Sequence, residues 1–284
     1  MKKSVIIILS LALLLPLSCS KTIPQSEPRL VVEGWIETGG HPMVRVSESF
    51  EVEMGKEISL ANLVENLAKW ARVTVSDGDT TVVLTGFVDQ NYFPPYVFSS
   101  SKITGKTGKT YELKVEYKDY VATAKTTLPE PVPIDTVYVG EVKDSTCVVV
   151  CGFTDPPQKG NNYKVLTRAM AFESHYHHSC LALTDDENLN GYTEFFLFSS
   201  LRLTDFISVP NIRTEGDFWV KLCTLDQEAY AFWKHYETIL YANTFNIESG
   251  TAMLGNVNGA LGYWVGYGVD KPVCINLDNL PPTQ

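Results

Sequence analysis

The sequence has 284 residues, of which 44% are hydrophobic and 20% are charged, and this composition is typical of a packed globular protein rather than a disordered chain. The formal net charge is -10 at pH 7, so binding to nucleic acid or to anionic lipid head groups is opposed by electrostatic repulsion. A chain of this length forms either one large domain or two of ordinary size, and we expect two.

The N-terminal segment has the layout of a secretory signal. Two lysines precede an apolar run over residues 5–17, which ends two residues before Cys19. The run is too short and wrongly flanked for a transmembrane helix. A cysteine at the cleavage junction is typical of a bacterial lipoprotein, so we predict a signal peptide over residues 1–18, lipid attachment at Cys19 and a tether over residues 19–28. An ordinary signal peptide with a chance cysteine is the alternative, which Pro16 favours.

The first half of the mature chain is patterned as β-strands. Short runs rich in β-branched and aromatic residues alternate with turns that contain glycine. The predicted strands cover residues 30–36, 43–47, 72–75, 81–84, 111–117 and 121–127. Residues 58–71 instead space their apolar side chains as in a helix, with Ser59 as the cap, so we expect a short amphipathic helix that packs on its own sheet.

A proline-dense connector divides the chain. Residues 129–133 contain three prolines, which interrupt any strand and favour a stiff extended segment. We place a boundary there, between an N-terminal domain over residues 29–130 and a C-terminal domain over residues 134–276. Strand patterns resume beyond it, and one apolar face over residues 225–242, with Asp226 as the cap, predicts a helix. The predicted fold is mainly β, with two β-sandwich, Ig-like domains and a few short helices.

Several segments, taken in chain order, carry a family resemblance. They are the lipidation cysteine, LVVEGWI at 30–36, VTVSDG at 73–78, GKTYELKV at 108–115, the connector at 128–135, the turn at 185–191 and GNVNGALG at 255–262. Together they resemble a Bacteroidetes family of outer-membrane lipoproteins, DUF4249. The resemblance implies an envelope lipoprotein of two β-rich domains that accompanies a TonB-dependent outer-membrane receptor, and it implies no established catalysis. The acidic run that follows the lipidated cysteine in many surface lipoproteins of that phylum is missing here, so both the cell-surface and the periplasmic face stay open.

Residues 186–191 have the pattern that opens a calcium loop. Oxygen-bearing side chains alternate, and a glycine permits the bend, so Asp186, Asn188 and Asn190 are candidate calcium ligands. The twelfth position is Leu197 rather than the usual bidentate glutamate, and we therefore expect any such site to be weak. An Asn-Gly hairpin turn, which needs no metal, is the alternative.

The sequence has one histidine cluster. In a strand, His175 and His177 share a face and can supply two positions of a tetrahedral zinc site, with the third ligand unassigned. Incidental histidines on a loop are the alternative. The sequence contains neither a nucleophile elbow nor a zinc-protease helix, and we predict no catalytic residue and no cofactor beyond the calcium considered above.

We therefore predict a non-enzymatic accessory or binding component of a TonB-dependent uptake system. Its contact with the receptor is assigned to the helix over residues 226–242 and to residues 253–265, through Trp264, Tyr263 and Met253, because aromatic side chains and methionine are enriched at interfaces. Closing the core of the second domain is the alternative role for these residues. A cell-surface adhesin or glycan-binding lipoprotein is the alternative function, and an envelope hydrolase is a third.

Overall fold

The structure of the protein is a computed structural model. It describes residues 28–49, 60–92, 94–169, 175–189, 191–197, 212–244, 255–278 and 280. The predicted signal peptide and Cys19 lie outside these residues. Within the described part of the chain, no helix combines the length and the apolar character needed to cross a membrane.

The described chain is mainly β, as predicted. Its strands are β1 (Leu30–Glu37), β2 (Met43–Glu48), β3 (Arg72–Ser76), β4 (Thr81–Val83), β5 (Thr85–Val88), β6 (Tyr96–Ser99), β7 (Thr110–Tyr117), β8 (Tyr120–Thr127), β9 (Thr136–Lys143), β10 (Thr146–Asp155), β11 (Asn162–Ala169), β12 (His177–Asp185), β13 (Gly191–Leu197), β14 (Ile212–Arg213), β15 (Asp217–Leu225), β16 (Leu261–Val269) and β17 (Val273–Asn276). Its helices are α1 (Leu60–Glu65) and α2 (Gln227–Thr244).

Nine strands form one large sheet. Their order is β12-β11-β15-β16-β1-β2-β6-β5, and β17 also pairs with β15. The strands β1 and β16 run parallel, with Gly34 opposite Trp264 and Trp35 opposite Val265. Because β1 comes from the first half of the chain and β16 from the second, both halves share this sheet.

Side chains alternate across the large sheet, as the pleat of a β-strand requires. On β16, Trp264 joins a core on one face, whereas Val265 and Tyr267 join a cluster on the other face. On β15, Leu222 likewise joins a core on the first face, and Cys223 joins the cluster on the other face. The first face carries the cores of two sandwiches, and the opposite face carries α2.

The first sandwich forms where a four-stranded sheet, in the order β4-β3-β7-β8, packs over β1 and β2. Trp264 is fully buried in this core, and its indole Nε1 donates a hydrogen bond to the carbonyl oxygen of Tyr111 at 2.9 Å. A Cβ atom added at Gly34 would lie 2.7 Å from Cε3 of the Trp264 ring. Glycine is therefore needed at position 34 for the indole to lie across β1.

The second sandwich forms where β9, β10, β13 and β14 pack over β11 and β15. The ring of Phe153 lies 4.7 Å from that of Tyr163 and 5.7 Å from that of Phe195, measured between centroids. The Tyr163 hydroxyl donates to the buried carboxylate of Asp155 at 2.6 Å. This core thus contains packed aromatic rings, and the Tyr163 hydroxyl has an internal partner.

Helix α2 begins as its sequence predicts. The Oδ1 atom of Asp226 accepts a hydrogen bond from the backbone N–H of Ala229 at 2.8 Å, which is the geometry of an N-cap. The buried rings of Phe232 and Trp233 then pack with Val265 and Tyr267. The helix therefore covers part of the second face of the large sheet.

The predicted domain boundary falls in a segment without strands, and the chain later pairs back across it. Residues 128–135 form no strand, in agreement with the predicted connector. However, residues 134–276 are not a separate domain, because β16 pairs with β1 and places Trp264 in the first core. The prediction missed this return of the chain because a strand's own sequence does not specify a distant partner.

Candidate functional site

A cavity of about 560 Å³ opens on the second face of the large sheet, beside α2. Side chains of six strands (β1, β2, β6, β11, β15 and β16) form its floor, and residues 89–92 and 175–178 contribute its walls. The floor includes Trp35, Glu37, Arg45, Arg168, Lys221 and Tyr263. The volume lies within the range of small-molecule sites, about 300–1,000 Å³.

Four rings follow one another along the cavity, and we call them the aromatic row. Between centroids, Trp35 lies 5.7 Å from Tyr92, Tyr92 lies 5.3 Å from His175, and His175 lies 4.2 Å from His177. Burial raises the pKa of the Tyr92 hydroxyl, which therefore stays protonated at neutral pH. The row presents flat, partly apolar surfaces with a polar tip, a combination suited to stacking against a ring.

Two of the lining cations are already neutralised by carboxylates. Arg45 forms a salt bridge with Glu33 at 2.7 Å between Nη2 and Oε2. The Nζ atom of Lys221 donates to both carboxylate oxygens of Glu37, at 2.9 and 2.8 Å. Lys221 also lies 4.0 Å from the centroid of the Tyr176 ring. These contacts fix both cations in place and leave little net charge at either position.

Arg168 differs from these two cations. Its guanidinium carbon lies 5.0 Å from the centroid of the Tyr176 ring and 5.6 Å from that of Trp219. Its Nε atom is buried and has no hydrogen-bond partner among the described residues, and no described carboxylate forms a salt bridge with Arg168. Arg168 is thus a cation held by aromatic faces, with donor capacity that the described residues do not use.

His178 lies where the cavity meets α2. Its ring centroid is 3.9 Å from that of Trp233, and its buried Nδ1 atom has no hydrogen-bond partner among the described residues. Burial, and then the nearby charge of Lys164, hold the pKa of His178 well below its usual value. Lys164 is itself fully buried and forms a salt bridge with Glu237 at 2.9 Å. His178 is therefore neutral at physiological pH.

The structure brings the two candidate zinc ligands together in the cavity wall. His175 and His177 are adjacent in the aromatic row, and burial lowers the pKa of His177. Among the described residues, no group of three or more histidine, cysteine or acidic side chains is arranged to hold a metal ion. The histidines belong to the lining of an organic-ligand-sized cavity.

The candidate calcium loop is held by hydrogen bonds of its own. The buried Asp186 carboxylate accepts from the backbone N–H groups of Gly160 and Asn161, at 2.8 and 2.9 Å. The Lys159 ammonium donates to the backbone carbonyl of Asp186 at 2.6 Å and also to that of Leu189. Of the other two candidate ligands, Asn188 is exposed and Asn190 lies outside the described residues. Weak calcium binding stays a prediction.

The three residues predicted to contact a partner have different positions. Trp264 is fully buried in the first core, and not in the core of the second domain as the alternative had it, so its ring is not available to a partner. Tyr263 lines the cavity and packs 4.8 Å from Phe232 between ring centroids. Met253 lies outside the described residues. Of the three, only Tyr263 is seen at the candidate site.

Sequence reasoning did not single out Trp35, Tyr92, Arg168, Tyr176 or Lys221. The available signal was parity along the strands, because the lining residues of β1, β2, β11 and β16 lie an even number of positions apart, as in Trp35 and Glu37. In an amphipathic strand, a charged or aromatic residue on the second face is ordinarily assigned to solvent. Only the pairing of β1 with β16 shows that these faces adjoin.

Comparisons with known proteins identify a family but no established function. A family model described as "Domain of unknown function (DUF4249)" matches residues 19–272. None of the curated proteins matches this sequence.

Two solved structures are similar at low TM-scores. A cytokine receptor complex is 8% identical with a TM-score of 0.26, and the match covers 87% of this chain and 96% of that chain. A two-domain fibronectin type-III segment from chicken tenascin is 9% identical with a TM-score of 0.21, and the match covers 70% of this chain and 92% of that chain. Neither similarity bears on function.

Proposed function

The chain belongs to the DUF4249 family, and from this premise we propose that it is a lipid-anchored, non-catalytic binding protein that serves a TonB-dependent uptake system at the outer membrane. The observation that carries the proposal is the cavity on the shared sheet. It has the volume of a small-molecule site, and its floor and walls come from both halves of the chain. Its combination of aromatic surface with a few placed polar groups is that of a ligand-binding pocket.

Anchoring is the second part of the proposal. A lipid on Cys19 confines the folded body to the plane of the membrane and raises its effective concentration toward any receptor in that membrane. A modest protein–protein contact is then sufficient for association. A ligand held in the cavity is delivered at high local concentration to the receptor.

Anchoring is tested by mass spectrometry of the mature N-terminus together with membrane fractionation. We expect an acylated cysteine at position 19, and we expect Cys19→Ala to release the protein from membranes. Cys274→Ala is the matched control, since Cys274 is an exposed cysteine in the folded body, and it should leave fractionation unchanged. An unmodified N-terminus at another residue contradicts the proposal.

Association with a receptor is tested by affinity purification from solubilised outer membranes. The tagged protein should recover a TonB-dependent β-barrel receptor, whereas the Cys19→Ala variant, expressed at the same level, should recover much less. If the unmutated protein recovers no β-barrel protein under mild solubilisation and after crosslinking, the accessory role is wrong.

A specific observation supports a second candidate, a glycan-binding adhesin. Tyr138 and Phe196 lie on either side of Val150 on the outer face of the sheet formed by β9, β10 and β13, and their exposed fractions are 41% and 56%. The hydroxyls of Tyr138 and Tyr192 both donate to Glu194, which fixes their rings. Exposed flat rings suit stacking against sugars.

The adhesin candidate predicts a different result from the leading proposal. Intact cells should be labelled by an antibody to the protein and should bind immobilised polysaccharide. A Tyr192→Ala variant should lose this binding without any effect on recovery of a receptor. Labelling that requires permeabilised cells contradicts the adhesin role.

A further inference from the structure

We propose that the cavity binds an acidic sugar, whose carboxylate is held by Arg168, whose ring lies against the aromatic row, and whose hydroxyls donate to acidic side chains of the lining. This inference rests on the proposed binding function and names its ligand class. It follows from the charges, the rings and the acceptors of the cavity, taken in turn.

The charges favour a carboxylate. Arg45 and Lys221 already have carboxylate partners in Glu33 and Glu37, whereas Arg168 forms no salt bridge with any described carboxylate. The described residues also leave the Arg168 Nε atom without a hydrogen-bond partner. A buried donor without a partner is costly until an acceptor meets it, and a carboxylate matches the planar fork of a guanidinium. A ligand with one carboxylate provides that anion.

Arg168 is also held in position before the ligand arrives. Tyr176 and Trp219 lie near its guanidinium, at 5.0 and 5.6 Å from the ring centroids to the guanidinium carbon. Such contacts restrict the rotamers of a long side chain without consuming its hydrogen-bond donors. The entropy lost on binding a carboxylate is therefore reduced.

The acceptors favour a sugar over an aromatic acid. Glu37 and Asp89 both line the cavity. The Oδ1 atom of Asp89 accepts a hydrogen bond from the backbone N–H of Asn91 at 2.9 Å. Carboxylates accept several hydrogen bonds each. An aromatic acid brings no donors for them, whereas sugar hydroxyls do. The apolar face of a sugar ring can meanwhile lie against Trp35 or Tyr92 of the aromatic row.

The test is calorimetric titration of the mature, detergent-solubilised protein with three matched probes. Galacturonate carries the carboxylate and the hydroxyls, galactose carries the hydroxyls alone, and benzoate carries a carboxylate on an apolar ring. Glucuronate and N-acetylneuraminate extend the acidic arm. We expect at least one acidic sugar to bind about 10- to 100-fold more tightly than its neutral counterpart, the effect of a hydrogen-bonded charge pair. Benzoate should bind more weakly than the acidic sugar.

Arg168→Gln separates ligand recognition from a merely structural role. It should remove the preference for the acidic sugar and leave the weak affinity for galactose unchanged. Arg72→Gln is the matched control, because Arg72 is an exposed arginine of β3 in the first sandwich, and it should preserve the preference. Tyr92→Ala should weaken the binding of the acidic and the neutral sugar by the same factor. If Arg168→Gln does not fold, Arg168→Lys keeps the charge and should retain part of the preference.

Each of three affinity patterns overturns the inference. They are equal affinity for acidic and neutral sugars, benzoate binding as tightly as the acidic sugar, and an Arg168→Gln variant that folds and keeps the preference. Absence of binding to every acidic sugar also overturns it. Recovery of a receptor in the affinity purification is independent of these titrations. A failure of this inference therefore leaves the proposed receptor association standing, and a failure to recover a receptor does not affect the titrations.

Discussion

Replacing Trp264 by phenylalanine tests whether the two halves of the chain form one cooperative unit. The change keeps an aromatic ring in the first core but removes the indole N–H that donates to the Tyr111 carbonyl. Leaving that buried carbonyl unpaired costs about 1–3 kcal/mol, and the volume lost beside Gly34 costs about 1 kcal/mol more. We therefore expect a loss of about 2–4 kcal/mol, a large part of the roughly 5–15 kcal/mol by which domains are stable.

The assay is urea unfolding followed by circular dichroism, and the protein offers a matched control. Trp70 is 89% exposed, so Trp70→Phe should change the free energy of unfolding by less than about 0.5 kcal/mol. With a urea dependence of roughly 3 kcal/mol per M for a protein of this size, Trp264→Phe should lower the midpoint by about 1 M. Since β16 belongs to the sheet that both sandwiches share, we expect a single unfolding transition, and Trp264→Phe should shift the whole of it to lower urea concentration.

Two results would refute this reasoning. The first is a midpoint for Trp264→Phe that matches the midpoint for Trp70→Phe, which would mean that the buried indole contributes little. The second is a pair of separate transitions of which only one moves, which would mean that the sandwiches unfold independently despite the pairing of β1 with β16.

Three further predictions concern buried charges and the calcium loop. Because the folded-state pKa of His178 is lowered, this side chain takes up a proton below pH 6.5 in the unfolded chain but not in the folded one. The free energy of unfolding should therefore fall by up to about 1.4 kcal/mol per pH unit between pH 6.5 and 5. His178→Phe should reduce this pH dependence, measured by urea titrations. Glu237→Gln should cost about 3 kcal/mol by leaving the buried Lys164 without this carboxylate, whereas Glu228→Gln on the exposed side of α2 should cost little. Millimolar calcium should raise the melting temperature by less than about 2 °C, because a weak site at Asp186 adds little free energy.

Local signals predicted the elements of this fold well. Alternation predicted β7 and β8, whose side chains do alternate between buried and exposed positions. Asp226 predicted the start of α2, since its side chain bonds a backbone N–H within its own turn. The prolines of the connector predicted an interruption that the structure has. In each case the physical cause lies within a few residues of the feature.

The sheet that joins the halves could not be predicted in this way. Gly34 and Trp264 are opposite each other on parallel strands, yet nothing near Gly34 specifies a strand from the other end of the chain as its partner. A glycine in a strand signals a close approach, and the approaching group is here the Trp264 ring. The cavity depends on the same pairing, so its residues could not be assembled either.

The position of the cavity relative to the chain start bears on the choice between uptake and adhesion. The described chain begins at Pro28, whose carbonyl accepts a hydrogen bond from Tyr120 at 2.6 Å, and β1 then runs from Leu30 to the cavity residues Trp35 and Glu37. At about 3.3 Å per residue, β1 places the cavity about 20 Å from the point where the tether joins the fold. If Cys19 carries the lipid, the tether adds at most about 30 Å. A cavity held that close to the bilayer is within reach of a receptor in the same membrane. Binding to a distant surface is instead favoured by a longer stalk. The short distance therefore supports the uptake role.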